Sequence, residues 1–532
     1  MRNTPFLLSL AALAVVTIQA MALATRYFQP WLDGDYLLAE RFAADVLSGV
    51  YPLSGWTLSS SPYLFPDFAL SIAWRALLGL GGAPLLPFYV VMSYTALALL
   101  AGWSLQRARG TDSYGWLLGA LLVNAVLAWQ GSADHDRWLW WLGVPNMHGG
   151  AVLLGLAQVA LWLGPSAEAP SRIRWLAGTV LLFLGLASDT LLFTQFVAPL
   201  GAALFIGAPQ PRWQSQRLHA FVKAVGIALL FFLLLRLGLH LLQWGNYPSV
   251  VRYAPTPSAI ASTGARMFGD LTGPAFRSVP GLMALSLLSL VGALWLARRL
   301  KLNGTQRQAG WVAALCLLAT FFLPVLAVYW RNPQHGRYLL PCLVIPLWWL
   351  LTLLPLARMR TPLAAGLVAV SLIGLAIWRV PQIDFSRWTW PYPERVADLD
   401  GFFPDEERAH GLAEYWTATS LNAVSQKVHL NQVRPDGRVQ FWGNNAFHHF
   451  TTATSGDSAP LHPRRYSFII ANDLDPVALR AKFGEPGRIA NLSGYEVWLY
   501  DSAGSRRISS LVDAEVRTFL GDRPGTKRVA KP

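Results

Sequence analysis

Long apolar runs separated by short basic segments dominate the first 380 residues of the chain. Because a membrane-spanning helix needs about 20 apolar residues, these runs predict transmembrane helices. A shorter apolar stretch, residues 67–80, contains Arg75 and is interpreted as a helix that lies at the membrane interface. The predicted spans lie near residues 5–25, 84–105, 113–130, 147–164, 173–188, 190–207, 220–243, 279–299, 309–329, 338–357 and 361–380.

The positive-inside rule orients these predicted spans. When residues 67–80 are not counted as a span, Arg and Lys cluster in every second loop, which places those loops in the cytoplasm. Counting them as a span would put most of the clusters outside. The pattern therefore predicts eleven spans, a cytoplasmic N-terminus and an outside C-terminus. The basic residues concerned are Arg107, Arg109, Arg172, Arg174, Arg212, Arg217, Lys223, Arg298, Arg299, Lys301, Arg307, Arg358 and Arg360.

Composition agrees with a multi-pass membrane protein, because 54% of the 532 residues are hydrophobic and 14% are charged. The net charge of +14 does not indicate nucleic-acid binding, since the basic residues lie largely in loops between apolar runs. Residues 1–24 have features of a signal peptide, but an uncleaved first span is preferred because further spans follow. Cys316 and Cys342 lie in apolar runs and provide no disulfide framework.

From about residue 381 the composition changes, and residues 381–532 predict an α+β domain on the outer face. The segment WTWPYPERV is interpreted as a linker, and a PDG turn is predicted between the first two strands. The basic tail after Asp522 is predicted to be disordered. Helices are predicted near residues 406–425 and in DPVALRAKFG, which ends at Gly484, and strands near residues 427–434, 438–442, 466–472 and 494–501.

The first outside loop, residues 26–83, is unusually acidic. Asp33 and Asp35 precede an amphipathic helix predicted over residues 36–47. Two carboxylates at a membrane surface can bind a divalent metal or act as a general base towards an acceptor. A turn followed by a helix N-cap at Asp35 explains the same residues without chemistry. The five acidic residues of this loop, out of 29 in the chain, are Asp33, Asp35, Glu40, Asp45 and Asp67.

A second polar cluster, SADHDR, lies in the next outside loop, and His148 follows it. Asp134, His135 and Asp136 have side chains that ligate a metal or activate a nucleophile. The metal would be Mg²⁺, Mn²⁺ or Zn²⁺, with Asp35 and Asp136 as its candidate ligands. The alternative is a solvated polar loop without a chemical role.

Arginines in other outside loops are candidates for phosphate binding, because a guanidinium forms bidentate hydrogen bonds with phosphate oxygens. For the segment RNPQHGRY between two spans, the alternative is an interfacial anchor. Asp189 lies in a tight outside turn between two spans, where an unpaired charge is costly, and is a further candidate. The candidate phosphate-binding residues are Arg331, His335, Arg337, Tyr338, Arg252 and Arg266.

Nucleotide-dependent and several hydrolytic chemistries have no motif in this chain. No Walker loop, GxGxxG nucleotide fold, HExxH motif or nucleophile elbow occurs in a matching context. No nucleotide cofactor is therefore expected. An enzyme that works on the outer face needs a donor that is already there, and a lipid-linked donor fits a site at the membrane surface.

This layout resembles the GT-C glycosyltransferases, multi-span enzymes that use polyprenyl-phosphate sugars. It is most similar to the branch with the aminoarabinose lipid A transferase and the protein mannosyltransferases. That family places an acidic motif after the first span, then two juxtamembrane helices, then the second span. The counterparts here are LDGDY, the helix over residues 36–47 and FPDFALSIAWRALLG. SADHD is similar to a second acidic motif of the family and RYLLP to a late-span motif, whereas Phe65-Pro66-Asp67 stands where the family often has His or Lys.

The resemblance implies a GT-C-like catalytic domain over residues 1–380, in a bacterial inner membrane, with a periplasmic C-terminal domain. It implies inverting transfer of a sugar from a polyprenyl-phosphate donor to a lipid, glycan or protein acceptor of the cell envelope. Asp33 or Asp35 would then be the catalytic acid/base, and Asp134 or Asp136 the second acidic residue.

Two other function classes fit parts of the pattern. A transporter or flippase of a lipid-linked substrate predicts charged residues within the spans and related halves, but the predicted spans are nearly free of acidic residues. A non-catalytic partner in envelope assembly would act through residues 381–532. The clustering of carboxylates in the outside loops favours an enzyme.

Overall fold

The protein is described by a computed structural model. It describes residues 4–27, 34–58, 61–79, 81–82, 84–110, 114–128, 133–164, 170–207, 215–241, 291, 295, 302, 304–327, 340–353, 362–389, 393–403, 409–451 and 461–521. The side chains of residues 133–137, 240–241, 321–327 and 362 are not described.

Helices make up most of the described chain. They are α1 (Thr4–Tyr27), α2 (Leu38–Ser48), α3 (Ala69–Leu78), α4 (Leu85–Arg109), α5 (Gly115–Ala128), α6 (Ala133–Gly143), α7 (Gly149–Trp162), α8 (Arg172–Ser188), α9 (Ala198–Ile206), α10 (Gln216–Leu241), α11 (Gly304–Ala327), α12 (Pro341–Leu353), α13 (Pro362–Arg379), α14 (Ser386–Thr389), α15 (Glu394–Phe402), α16 (Tyr415–Val424), α17 (Pro476–Phe483) and α18 (Ser502–Gly521).

Four of these helical segments are long and apolar enough to cross a membrane: Pro5–Arg26, Leu85–Arg109, Gln216–Leu239 and Leu363–Gln382. They coincide with the first, second, seventh and eleventh predicted spans. Shorter apolar helices occupy the third, fourth, sixth and tenth, and α8 and α11 occupy the fifth and ninth. The eighth predicted span lies almost entirely outside the described residues. The structure therefore shows a mostly helical chain with four candidate membrane spans among the residues it describes.

Glycines allow α4 and α5 to pack with their backbones in close contact. A Cβ atom added to Gly119 would lie 2.2 Å from the backbone nitrogen of Gly102 and 2.5 Å from the carbonyl oxygen of Ala98. Small residues at a helix crossing permit this approach in membrane proteins, where packing rather than water exclusion holds helices together.

We expect Gly119→Leu to force α4 and α5 apart and to lower the free energy of unfolding by roughly 3 kcal/mol, because neither backbone can move aside at low cost. Denaturant unfolding of the detergent-solubilised protein measures the change. Gly226→Leu in α10 is the matched control, since a Cβ atom at that position has no neighbour within 4 Å. Equal stability of the two variants would contradict this account of the packing.

Two short helices of the first loop, α2 and α3, pack against each other. The buried face of α2 carries Leu38 and Phe42 together with two acidic side chains. Its chain turns at Gly49, whose φ of 63° is a conformation that favours glycine. With 10 residues, α3 is too short to cross a bilayer, and its last residues, Leu77 and Leu78, are exposed. The helices predicted in residues 36–47 and 67–80 are therefore confirmed.

The strands form one larger and one smaller sheet. The five-stranded sheet has the order β3-β2-β5-β7-β6, in which β2 is parallel to β3 and β5, and β7 is antiparallel to β5 and β6. Helix α16 connects β2 to β3, and α18 buries Ile508 and Val512 in the same apolar cluster as Trp498. The strands are β1 (Trp56–Thr57), β2 (Ala409–Glu414), β3 (Val428–Val433), β4 (Asn444–Asn445), β5 (Phe468–Ile470), β6 (Arg488–Leu492) and β7 (Tyr495–Leu499).

The smaller sheet joins distant parts of the chain. In it, β1 of the first loop pairs with β4 in an antiparallel ladder, with Trp56 opposite Asn445 and Thr57 opposite Asn444. We call residues 393–403, 409–451 and 461–521 the sheet region. The first loop is thus hydrogen-bonded to the sheet region through its backbone.

Two predictions in the sheet region were wrong. Residues 409–414 form β2 rather than the start of a helix, because Gly411 leaves room for the Phe468 ring, which a Cβ atom would approach to 2.4 Å. Residues 438–442 contribute only an isolated bridge from Val439 to Val433 instead of a strand. The segment interpreted as a linker, residues 388–396, includes the last two residues of α14 and the start of α15.

Part of the second predicted outside loop is helical. Residues 133–143 form α6, and the second half of this segment carries apolar side chains. Leu139, Trp140 and Leu142 are buried. The predicted strands near residues 427–434, 466–472 and 494–501 and the helix that ends before Gly484 are confirmed. The tail after Asp522 lies outside the described residues.

Candidate functional site between the first loop and the sheet region

Asp35, a candidate acid/base, lies in the turn that precedes α2 and faces the sheet region. Its carboxylate accepts a hydrogen bond from the hydroxyl of Tyr415 at 3.2 Å, and 8% of the residue is exposed. Its carbonyl accepts one from Nδ2 of Asn146 at 2.7 Å. Gly34 before it packs against Thr419 of α16. Asp33 lies outside the described residues.

The next turn of α2 carries two charged residues at the same interface. Glu40 forms an ion pair with Arg75, which joins α2 to α3. Arg41 donates hydrogen bonds to Oγ1 of Thr419 at 3.3 Å and to Oδ1 of Asn444 at 2.8 Å. Both contacts of Arg41 therefore reach across to the sheet region.

Asp45, near the end of α2, is the main polar link between the first loop and the sheet region. Its carboxylate accepts hydrogen bonds from Nε1 of Trp56 at 2.8 Å, Nδ2 of Asn445 at 2.8 Å and Nε2 of His448 at 3.0 Å. Burial acts to raise the pKa of Asp45, but the hydrogen bonds from His448, Asn445 and Trp56 outweigh it and hold the pKa below its ordinary value. Asp45 is therefore ionised at neutral pH.

His448 is the neutral partner of this carboxylate. Burial lowers the pKa of His448, and the positive charges of Arg41 and Arg464 lower it further. The hydrogen bond to Asp45 raises the pKa, but not enough to bring it back to the ordinary value for histidine. Tyr51 packs edge-on to the imidazole with the ring centres 4.7 Å apart, and its hydroxyl accepts a hydrogen bond from Arg464. Tyr51 and Asp45 together fix the orientation of the ring.

A cavity of about 740 Å³ lies between α2, the end of α3, α16 and β3. Its lining mixes polar and apolar groups and combines residues of the first loop with residues of the sheet region. His429, from β3, also lines the cavity; its Nε2 is buried, and no hydrogen-bond partner reaches this atom from the described part of the chain. The lining residues that matter below are Glu40, Arg41, Arg75, Thr419, His429 and His448.

A second buried network of hydrogen bonds connects the first loop to residues near the ends of α4, α7 and α8. Asp67 accepts hydrogen bonds from the hydroxyl of Tyr89 and, at 2.7 Å, from the backbone N–H of Asn146. Burial raises the pKa of Asp67 to about 6, although these two hydrogen bonds oppose the shift; the nearby charge of Asp189 raises it further.

His148 belongs to the same network. Its Nδ1 lies 2.6 Å from Oδ2 of Asp189, and its Nε2 lies 3.1 Å from the hydroxyl of Tyr63. Since Asn146 contacts both Asp35 and Asp67, the segment around it gathers candidates from separate loops. Asp35, Asp67, His148 and Asp189 are thereby brought together.

For the other predicted site residues, the structure does not describe the side-chain positions. Asp134 and Asp136 lie on α6, but their side chains are outside the description, so the candidate metal pair of Asp35 and Asp136 stays a prediction. Among the described residues, no group of three or more His, Cys, Asp or Glu is arranged to hold a metal ion. The candidates for phosphate binding that lie outside the described residues are Arg252, Arg266, Arg331, His335, Arg337 and Tyr338.

Sequence reasoning missed the residues that line the cavity from the sheet region. The segment GNNAFHHF holds two adjacent amides and two adjacent imidazoles in a short stretch. That density of hydrogen-bonding side chains was a signal for a polar site. Asp45 accepts hydrogen bonds from Asn445 and His448 of this segment. The sequence identified Asp45 only as one of the acidic residues of the first loop.

The chain matches no known protein-family model, and comparison with curated proteins likewise finds no match. The functional argument therefore depends on the residues themselves.

Proposed function

We propose that the protein is a membrane glycosyltransferase that transfers a sugar from a polyprenyl-phosphate donor to a cell-envelope acceptor. The observation that carries this proposal is the cavity of about 740 Å³, where arginine, carboxylate and imidazole side chains of two distant segments meet beside α3. A helix too short to cross a bilayer, with exposed leucines at its end, is suited to the membrane surface. A lipid-linked donor has its phosphate at that level.

The proposal includes the GT-C-like arrangement of eleven spans in a bacterial inner membrane, with the N-terminus cytoplasmic and residues 381–532 periplasmic. The basic loops support this orientation, and the four candidate spans support a chain that crosses the membrane. The first loop and the sheet region contact each other directly, so both must lie on the same side of the membrane. The sheet region would complete the site from the periplasm.

The proposed reaction is a displacement with inversion at the anomeric carbon. A base takes the proton of the acceptor hydroxyl, the oxygen attacks the anomeric carbon, and the polyprenyl phosphate departs. Arg41 and Arg75 line the cavity and carry the positive charge that a departing phosphate needs. The family resemblance offers Asp33 or Asp35 as the base and Arg331 and Arg337 as further phosphate contacts.

Transfer activity is the direct test. We expect the purified protein in lipid nanodiscs to release polyprenyl phosphate from one of a panel of polyprenyl-phosphate sugars when envelope lipids or glycans are supplied, as measured by mass spectrometry. Arg41→Ala should reduce the rate at least about 100-fold, because it removes a charge from the transition state. Arg438→Ala, an exposed arginine of the sheet region, is the matched control.

The composition of the cell envelope provides a second test of the proposed activity. Mass spectrometry of envelope glycans from cells with and without the protein should reveal one sugar modification that disappears. If the glycans are identical and the nanodiscs release no polyprenyl phosphate from any donor, the protein is not this enzyme. In that case a flippase assay with the same lipids tests the transporter alternative.

A further inference from the structure

The cavity contains an acid–base group that the family resemblance does not provide. Neither the first-loop motif nor SADHD includes His448, which lines the cavity from the sheet region. Asp35 is held by Tyr415 and is not part of the cavity wall. The side chain best placed to meet a molecule in the cavity is therefore an imidazole, not the predicted carboxylate.

Hydrogen bonding determines which ring nitrogen of His448 is available. Asp45 is ionised and can only accept, so Nε2 of His448 must carry the hydrogen in their 3.0 Å contact. In the neutral imidazole the lone pair is then on Nδ1. A buried aspartate that holds the tautomer of a histidine and stabilises its protonated form is the arrangement by which histidine acts as a general base.

Further polar side chains line the same cavity. His429 is one of them, although its Nε2 is buried and lacks a partner within the described residues. Glu40, Arg75 and Thr419 add acceptors and donors around the same space. This mixture suits a sugar or another polyol better than an apolar molecule.

We propose that the cavity binds the hydroxyl-bearing acceptor and that Nδ1 of His448 takes the proton of the attacking hydroxyl. This role rests on the proposed glycosyl transfer. The acceptor oxygen forms a bond to the anomeric carbon while the bond from that carbon to the phosphate oxygen breaks, and the polyprenyl phosphate leaves with the electron pair. The proton moves to His448, where Asp45 stabilises the imidazolium, and is then released to water.

The experiment compares two bases in the same assay. We expect His448→Gln to lower kcat at least about 100-fold with little change in the KM of the donor, because proton transfer is lost and donor binding is not. Asp35→Asn should lower kcat less than His448→Gln does, because Asp35 is not part of the cavity wall. His462→Gln replaces an exposed histidine of the sheet region and is the matched control. Thermal unfolding of each variant shows whether it is folded.

Two further measurements distinguish a base from a structural histidine. In the wild-type protein kcat should fall at acid pH as His448 becomes protonated, and this acid limb should be absent from His448→Gln. Added imidazole should restore part of the activity of His448→Gly, since the cavity has room for it.

The outcomes separate the two proposals. Wild-type transfer, a larger loss of kcat in His448→Gln than in Asp35→Asn, and rescue by imidazole together support His448 as the base. If His448→Gln keeps the wild-type rate and acid limb, His448 is not the base, while the glycosyltransferase proposal stands. If folded wild-type protein transfers no sugar, the proposed function is overturned and the role of His448 falls with it.

Discussion

Replacing Asp45 with alanine is expected to lower the free energy of unfolding by roughly 3–5 kcal/mol and to abolish transfer, because three buried donors lose their shared acceptor. Trp56, Asn445 and His448 all donate to this carboxylate. Two of them belong to the sheet region, so the contact between the sheet region and the first loop should weaken. Denaturant unfolding in detergent and limited proteolysis measure the two effects.

The matched control for this change is Asp436→Ala. Asp436 lies in an exposed turn and, among the described residues, pairs with the exposed Arg438. An exposed ion pair contributes about 0–1 kcal/mol, so this variant should stay close to the wild type. If Asp45→Ala were as stable and as resistant to protease as Asp436→Ala, Asp45 would not be what holds the first loop to the sheet region.

Asp67→Asn is expected to make the protein more stable at neutral pH by up to about 3 kcal/mol and to remove a pH dependence of stability. The pKa of Asp67 is raised from 3.8 to about 6 by burial, so between these values the folded protein binds more protons than the unfolded chain. The stability that this group contributes is therefore present below pH of about 4 and is lost as the pH rises to about 6.

Asparagine imitates the protonated acid, since its Nδ2 can donate to the hydroxyl oxygen of Tyr89 while Oδ1 still accepts from the N–H of Asn146. Unfolding measured at several pH values should give curves that coincide near pH 4 and diverge above it. Asp436→Asn controls for the loss of one negative charge. A constant difference between wild type and Asp67→Asn at every pH would show that Asp67 does not titrate in this way.

The sequence predicted the helices best where one apolar face repeats along the chain. The spacing of Leu38 and Phe42 in α2 was sufficient to identify that helix. The distribution of Arg and Lys assigned each loop to one side of the membrane, and four candidate site residues were therefore expected on the same side. Asp35, Asp67, His148 and Asp189 do lie together. Residues 409–414 were predicted to be helical because alanine, leucine and glutamate favour helices. In the structure they form β2, because pairing with neighbouring strands outweighs that local preference.

The cavity itself could not be predicted, because its polar contacts join residues very far apart in the chain. Asp45 and His448 are separated by 403 positions, and Arg41 and Asn444 likewise by 403. No local pattern carries information about such a pair. An aspartate on a short amphipathic helix normally faces water, and only the packing of β1 against β4 places Asp45 beside an imidazole.

The position of Arg75 and Leu78 on a single helix sets the depth of the site. Three residues along α3 correspond to about 4.5 Å, so the guanidinium that lines the cavity and the leucine that is exposed at the helix end are neighbours along the axis. For the proposed glycosyltransferase, with Leu78 in the hydrocarbon, the reacting atoms of the donor would then lie within a few ångströms of the lipid headgroups. Under that proposal, a donor with a longer polar spacer between its chain and its sugar would hold the anomeric carbon too far out to react.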